Sequence, residues 1–276
     1  MHDWYRFVLS FPPHLVRDYL TRFGMGPRNC VLDPFCGTGT VIVECKKLGV
    51  PSLGVEANPV AHFASLTKTD WNPDPDGLLQ HARECAALAS AKLEAGGTPD
   101  MSLFSMQDHV GPALLQELPE GLEKLLLKGS ISPLPLHKAL VLIQALTEHH
   151  DPRYANHERL ALAKALVFSI SNLHFGPEVG VGKPKPDAPV ISVWLSLVRS
   201  MSEDLNVLAS HRATPARTFL CDSRRILEVL GSRFRARRNR RGGLSTRRST
   251  AQESRRHHLQ LPVPNGTTRL CGSDCS

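Results

Sequence analysis

The sequence predicts an α/β fold, an open parallel sheet interrupted by a long helical insertion and followed by a basic tail. Three observations predict it. The stretch 30–56 alternates strand, glycine turn, apolar helix and strand, "CVLDPFCGTGTVIVECKKLGVPSLGVE", the pattern of a parallel βαβ unit. Residues 72–212 then read as successive amphipathic helices without strand alternation. Finally "RTFLCDSRRILEVLG" returns to a strand followed by a helix.

The elements follow in chain order. In "SFPPHLVRDYLTRFG", Pro12 and Pro13 suit a first helical turn, where a missing N–H is harmless. Leu15, Val16, Tyr19 and Leu20 form one apolar face, and Gly24 and Gly26 end the helix. A strand from Cys30 to Asp33 leads into the G-x-G turn of Gly37 and Gly39, a turn that lets backbone approach a ligand closely. The dinucleotide fingerprint requires a third glycine where this chain has Ile42. The phosphate-binding P-loop requires Gly-Lys-Ser/Thr, and the first lysine here is Lys46, inside the following helix. Asp33, at the tip of the first strand, repels phosphate and suits an ammonium group. Glu56 ends the second strand, where an acid accepts hydrogen bonds from ribose hydroxyls. An amino group and a ribose without phosphate describe S-adenosyl-L-methionine. Asn58 and Pro59 then cap and open the helix "NPVAHFASLTK".

Asp33-Pro34-Phe35-Cys36-Gly37-Thr38-Gly39-Thr40 resembles the cofactor loop of the DNA amino-methyltransferases that act on N4 of cytosine or N6 of adenine. The preceding Pro-initiated helix resembles the one that packs near the methionine end of the cofactor in that family. The resemblance is strong over residues 5 to 70 and thinner beyond. It implies a Rossmann-like methyltransferase sheet. It also implies cofactor contacts from Pro12, Asp33, Phe35, Cys36, Gly37, Thr38, Gly39, Thr40, Glu56, Ala57, Asn58 and Asp222. Asp222 would reach the adenine amino group; by local chemistry it is equally a helix cap. The implied substrate is double-stranded DNA with the target base flipped out of the stack, and a restriction endonuclease partner is possible in such systems.

The insertion contains "GLLQHARECAALASAKLEAGG", "PALLQELPEGLEKLLLKG" (broken at Pro119), "LHKALVLIQALTEH", "HERLALAKALVFSISNLHF" and "VISVWLSLVRSMSEDLNVLASH", each expected as a helix. Most of their apolar positions are expected to serve core packing. The loop "HFGPEVGVGKPKPDAP" offers Lys183 and Lys185, either to a phosphate backbone or simply to solvent. The expected organisation is therefore 1–71 as the first part of the cofactor domain, 72–212 as helical insertion, 213–230 as the return to the sheet, and 231–276 as a disordered tail.

Charge and cysteine content bound the rest. The chain has 276 residues and a net charge of +7. Residues 231–276 hold eleven arginines, no lysine and two acids, so the tail carries +9 and the body −2. Such a tail is either a native nucleic-acid-binding arm or a frameshifted reading of a GC-rich gene. The second reading has a check: Leu261-Pro262-Val263-Pro264 encoded CTC CCC GTA CCA reads TCC CCG TAC, Ser-Pro-Tyr, when shifted by one nucleotide. The catalytic Ser/Asp-Pro-Pro-Tyr of the amino-methyltransferases is absent from the sequence as written, so no catalytic residue is assigned and the chain is expected to be an inactive fragment. Seven cysteines in mostly apolar contexts read as reduced thiols of a cytoplasmic protein. No C-x-x-C pair occurs, and His149-His150 and His257-His258 lack partners at ligand spacing, so no metal site is expected. Two other functions share these features. One is an RNA N2-guanine methyltransferase, whose family uses a similar loop. The other is a non-catalytic cofactor-binding module tethered to nucleic acid by a basic arm.

Overall fold

The computed structural model describes residues 1–6, 10–100, 115–175 and 178–228. The expectations for residues 231–276 lie outside these. The chain divides into two compact units. Met1–Val8 and Asp70–Ala209 form a helical unit; Leu9–Thr69 and Ser210–Ser276 form an α/β unit.

The α/β unit holds helix α1 (Pro13–Arg22), strand β1 (Val31–Asp33), helix α2 (Thr40–Lys47), strand β2 (Ser52–Glu56), helix α3 (Pro59–Thr69) and strand β5 (Ala216–Leu220). Its sheet has the order β1-β2-β5, and both pairings are parallel. Asp33 lies opposite Gly54, and Glu56 opposite Leu220. The carboxyl ends of all three strands therefore point the same way, which places Asp33, Glu56 and the segment after Leu220 along one edge. Open parallel sheets bind ligands at that edge.

Helix α1 begins as its prolines demand, with Pro12 at the cap position and Pro13 inside the first turn. Val16 and Leu20 bury against Cys45 and Val50, with Met25, Val31 and Val41 beside them. Glu44 of α2 is fully buried and accepts from Arg17 Nη1 at 2.8 Å and Lys47 Nζ at 2.9 Å. That pairing helps offset the desolvation of a buried carboxylate and joins α1 to α2. The outer side of α1 leaves Phe11, Leu15, Tyr19 and Phe23 largely exposed around an apolar groove of about 430 Å³.

Helix α2 reaches the sheet through a glycine on the strand. A Cβ at Gly54 would stand 2.8 Å from Cys36 Sγ and 3.0 Å from Ile42 Cγ1. In the dinucleotide fingerprint the third glycine, on the helix, permits this close packing. Here the bulk sits on the helix as Ile42 and the space is made on β2.

The helical unit contains α4 (Pro75–Ala95), α5 (Pro133–Glu148), α6 (Ala155–Ala165), α7 (Val190–Val207) and a hairpin of strands β3 (Leu173–Phe175) and β4 (Val179–Val181). Helix α4 packs on α7 and α5, and α6 on α7. Trp71 and Trp194 are fully buried, and Trp194 Nε1 donates to the Glu158 carbonyl at 3.0 Å. The first residues join this unit through Trp4, whose indole donates to Asp204 Oδ2 at 2.7 Å.

Two expected helices differ. Residues 157–175 do not form one continuous helix. A π-turn at Leu166–Ile170 ends α6, and Leu173–Phe175 is a strand. Asn172 explains the break. Its N–H donates to Ser130 O at 2.7 Å and its carbonyl accepts from Gly182 at 2.6 Å. Its amide side chain donates to Gly129 O and Ser132 Oγ. Those partners replace the helical ladder. The second difference is "GLEKLLLKG", which makes only a 3₁₀ turn at Leu122–Leu125, flanked by Pro119 and by Gly121 at φ +89°. Leu125 and Leu127 stay exposed.

Gly54→Val is expected to lower unfolding stability by about 1–3 kcal/mol, the range for overpacking. Chemical denaturation of the chain checks this, with Gly26→Val as the comparison, because a Cβ at Gly26 meets nothing within 4 Å.

Candidate nucleotide-cofactor site at the strand ends

The site forms where the chain leaves β1. Gly37 and Gly39 adopt φ +52° and +87°, a region that glycine enters without steric cost. Gly39 has a second requirement, since a Cβ there would lie 2.9 Å from Ser65 Cβ on α3. The loop is thereby pressed against α3, and Cys36 is buried with Sγ 3.9 Å from Ser65 Oγ. Thr38 and Thr40 are buried as well, while Phe35 is 74% exposed.

Two carboxylates order the loop. Asp33 Oδ1 accepts from the Phe35 N–H at 3.0 Å. Glu56 Oε2 accepts from the Gly37 N–H at 2.9 Å, and Oε1 from the Asn58 N–H at 2.8 Å. Glu56 thus holds the glycine loop on one side and the start of α3 on the other. Asn58 caps α3, its Oδ1 accepting from Val60 at 2.9 Å and Ala61 at 3.1 Å. Ala57 lies between these two acceptors, exposed.

The electrostatics favour a cation. Burial raises the Asp33 carboxyl above its ordinary value, the Phe35 hydrogen bond lowers it, and the charge of Glu56 raises it again. Two carboxylates that repel each other across a partly buried loop are relieved by a positive group between them. Each carboxylate has about four lone-pair sites, so the backbone bonds leave acceptor capacity for a ligand.

The other expected residues are placed as follows. Pro12 stands exposed at the start of α1. Asp222 follows β5, near the carboxyl end of β2, where Cys221 N donates to the Glu56 carbonyl at 3.0 Å. Its carboxylate caps the next turn by accepting from Arg224 N at 2.9 Å, and it also pairs with the Arg224 guanidinium. Those bonds hold the carboxyl well below its usual range, at about 2. The capping role is therefore present in the structure. Lys185 is also engaged, with Nζ donating to Ser169 O at 2.7 Å and its N–H to Asn172 Oδ1 at 2.8 Å; Lys183 remains exposed.

Sequence spacing did not expose one cluster. His81, Cys85 and Glu158 come within 4.8 Å of one another in the helical unit. His149, expected to lack an acidic partner, has Nε2 3.0 Å from Glu84 Oε2. The only sequence signal was His81-x₃-Cys85 on one helical face. Glu158 is distant in sequence and gives none.

Burial pushes the Cys36 thiol up to about 12, with the charges of Asp33 and Glu56 adding to the rise and Ser65 opposing it. The thiolate is the reactive form. Cys36 is therefore expected to resist iodoacetamide at pH 8 in the folded chain and to react once the chain is unfolded. Peptide mapping by mass spectrometry reads the difference.

Residues 5–65 match the N6/N4 family described as DNA methylase. Among curated proteins, the chain is 36% identical over 69 residues to the type II methyltransferase M.BsoBI of Geobacillus stearothermophilus, a match spanning 25% of this chain and 14% of that protein. It is 35% identical over 60 residues to the type II methyltransferase M.MjaII of Methanocaldococcus jannaschii, spanning 21% of this chain and 11% of that protein. The matched segment thus spans about a seventh or less of the length of these relatives. No solved structure matches. The glycine loop, both strand-tip carboxylates and α1 all fall inside the segment that is similar to the N6/N4 DNA methylases.

Proposed function

We propose that the loop from Asp33 to Thr40, with Glu56, binds S-adenosyl-L-methionine, and that the chain is the cofactor half of an enzyme that methylates an exocyclic amino group of a DNA base. The observation that carries this reading is the pair Asp33 and Glu56 at the carboxyl ends of adjacent parallel strands, flanking a loop of two left-handed glycines. The residues fit the cofactor. Glu56, already oriented by Gly37 and Asn58, presents its remaining lone pairs to the ribose hydroxyls. Asp33, destabilised as an anion by burial and by Glu56, attracts the ammonium group. Pro12, Phe35, Cys36, Thr38, Gly39, Thr40 and Ala57 complete the cradle, and Asp222 faces the adenine if Arg224 yields. When bound, the sulfonium supplies the methyl group.

Transfer also requires groups that free the amino nitrogen's lone pair from its ring and hold the base. No Pro-Pro-Tyr occurs in the 276 residues. Binding the cofactor without stabilising the transition state does not lower the barrier. We therefore read this chain as cofactor-binding but inactive in methyl transfer. Cytosine N4 is favoured over adenine N6 because, with the codons CTC CCC GTA for Leu261-Pro262-Val263, the shifted frame reads Ser before Pro-Tyr. The match to DNA methylases supports DNA over the RNA N2-guanine alternative.

Isothermal titration of the chain with S-adenosyl-L-methionine is expected to show binding that Glu56→Ala weakens by about 1.5–3 kcal/mol, the range for hydrogen bonds to a charged group. Affinity should fall on acidification, beginning above the ordinary aspartate range, because protonated Asp33 no longer attracts a cation. Tighter binding of NAD, or an unchanged affinity in Glu56→Ala, contradicts the assignment. In a second measurement, labelled cofactor incubated with the chain and duplex DNA should leave the DNA unlabelled. Label transfer that disappears in Asp33→Ala would show that the chain is active.

A further inference from the structure

Helix α4 carries His81 and Cys85 four residues apart and so on one face. Glu158 of α6 meets them. His81 Nδ1 lies 2.6 Å from Glu158 Oε1, and Cys85 Sγ lies 3.8 Å from His81 Nδ1. All three residues are buried.

The far side of the ring is already oriented. His81 Nε2 is 2.8 Å from the carbonyl oxygen of His149. A carbonyl only accepts, so Nε2 carries the hydrogen and Nδ1 is turned toward the carboxylate and the thiol. Metal-binding histidines are commonly fixed this way, with the non-ligating nitrogen donating to a carbonyl or carboxylate. The Nδ1···Oε1 contact in turn must hold one proton, on the nitrogen or on the oxygen.

We propose that His81 Nδ1, Cys85 Sγ and the Glu158 carboxylate form a binding site for a divalent ion of the zinc class, separate from the cofactor loop. The donor set selects the ion: imidazole and thiolate suit zinc or cobalt and disfavour magnesium and calcium. The geometry needs little change. Two light ligands on a tetrahedral zinc stand about 3.4 Å apart, and a sulfur and a nitrogen about 3.6 Å apart. The sulfur is already at that range, and the carboxylate must withdraw by roughly 0.8 Å. The ion takes the place of the proton between His81 and Glu158 and of the thiol proton of Cys85. Both protons leave to solvent. Three protein ligands leave one position for water. An open cleft of about 480 Å³, lined by His81, Glu84, His149 and Tyr154, provides an entry path.

Cobalt(II) titration of the full chain tests the site. One equivalent should produce a thiolate-to-cobalt charge-transfer band together with the intense visible bands of a tetrahedral ion, and one equivalent of zinc(II) should abolish both. Cys85→Ser should remove the charge-transfer band. Glu158→Gln should weaken cobalt binding by at least the roughly tenfold that loss of even an outer-sphere partner causes. Cys30→Ser should change nothing, and circular dichroism verifies that each variant is folded. A wild-type chain without the band overturns the proposal, as does a band that persists in Cys85→Ser. If Cys85→Ser does not fold, Glu158→Gln decides, and unchanged affinity there refutes the site.

Discussion

The α/β unit depends on one carboxylate. Glu56 accepts the Gly37 N–H with one oxygen and the Asn58 N–H with the other, at 2.9 Å and 2.8 Å. The first bond holds a loop whose two glycines have no side chains to anchor it. The second places the start of α3, which then presses Ser65 against Gly39. Without Glu56 these two turns would have no common acceptor. The residue proposed to meet the ligand is thus also the one that orders the loop and the start of α3.

Packing beneath the loop follows from this arrangement. With the loop pressed onto α3, Cys36 is buried and faces Gly54, and Ile42 fills the remaining space above β2. The exchange of bulk between helix and strand explains why the third glycine of the dinucleotide fingerprint is dispensable. What that motif achieves with a bare helix, this chain achieves with a bare strand position. The cost is a strand residue without a side chain, which parallel pairing on both sides of β2 offsets.

The helical unit follows a different logic. Several of its buried polar groups pair with groups far apart in sequence: Glu158 with His81, Lys138 with Asp187 of the loop before α7 at 2.6 Å, and Trp194 with the Glu158 carbonyl. Polar groups in a helical core lower stability unless each finds a partner. Here the partners come from neighbouring helices and, for Lys138, from the loop before α7, and the His81–Glu158 pairing places a thiol, an imidazole and a carboxylate together.

The sequence by itself determined the α/β unit almost completely. Strand ends, glycine turn, Asn58 cap and both acids lie within 24 consecutive residues from Asp33 to Glu56 and just beyond. Their chemistry is local: a left-handed turn needs glycine, a cap needs a short polar side chain, and an acid at a strand tip has a fixed direction. Tertiary structure alone decided the rest. It ended α6 early, because Asn172 found backbone partners at Ser130 and Gly182 that no window of sequence reveals. It brought Glu158 to His81 across 77 positions. Local propensity is readable in order along the chain, whereas a partner supplied by another helix becomes visible only when the helices have packed.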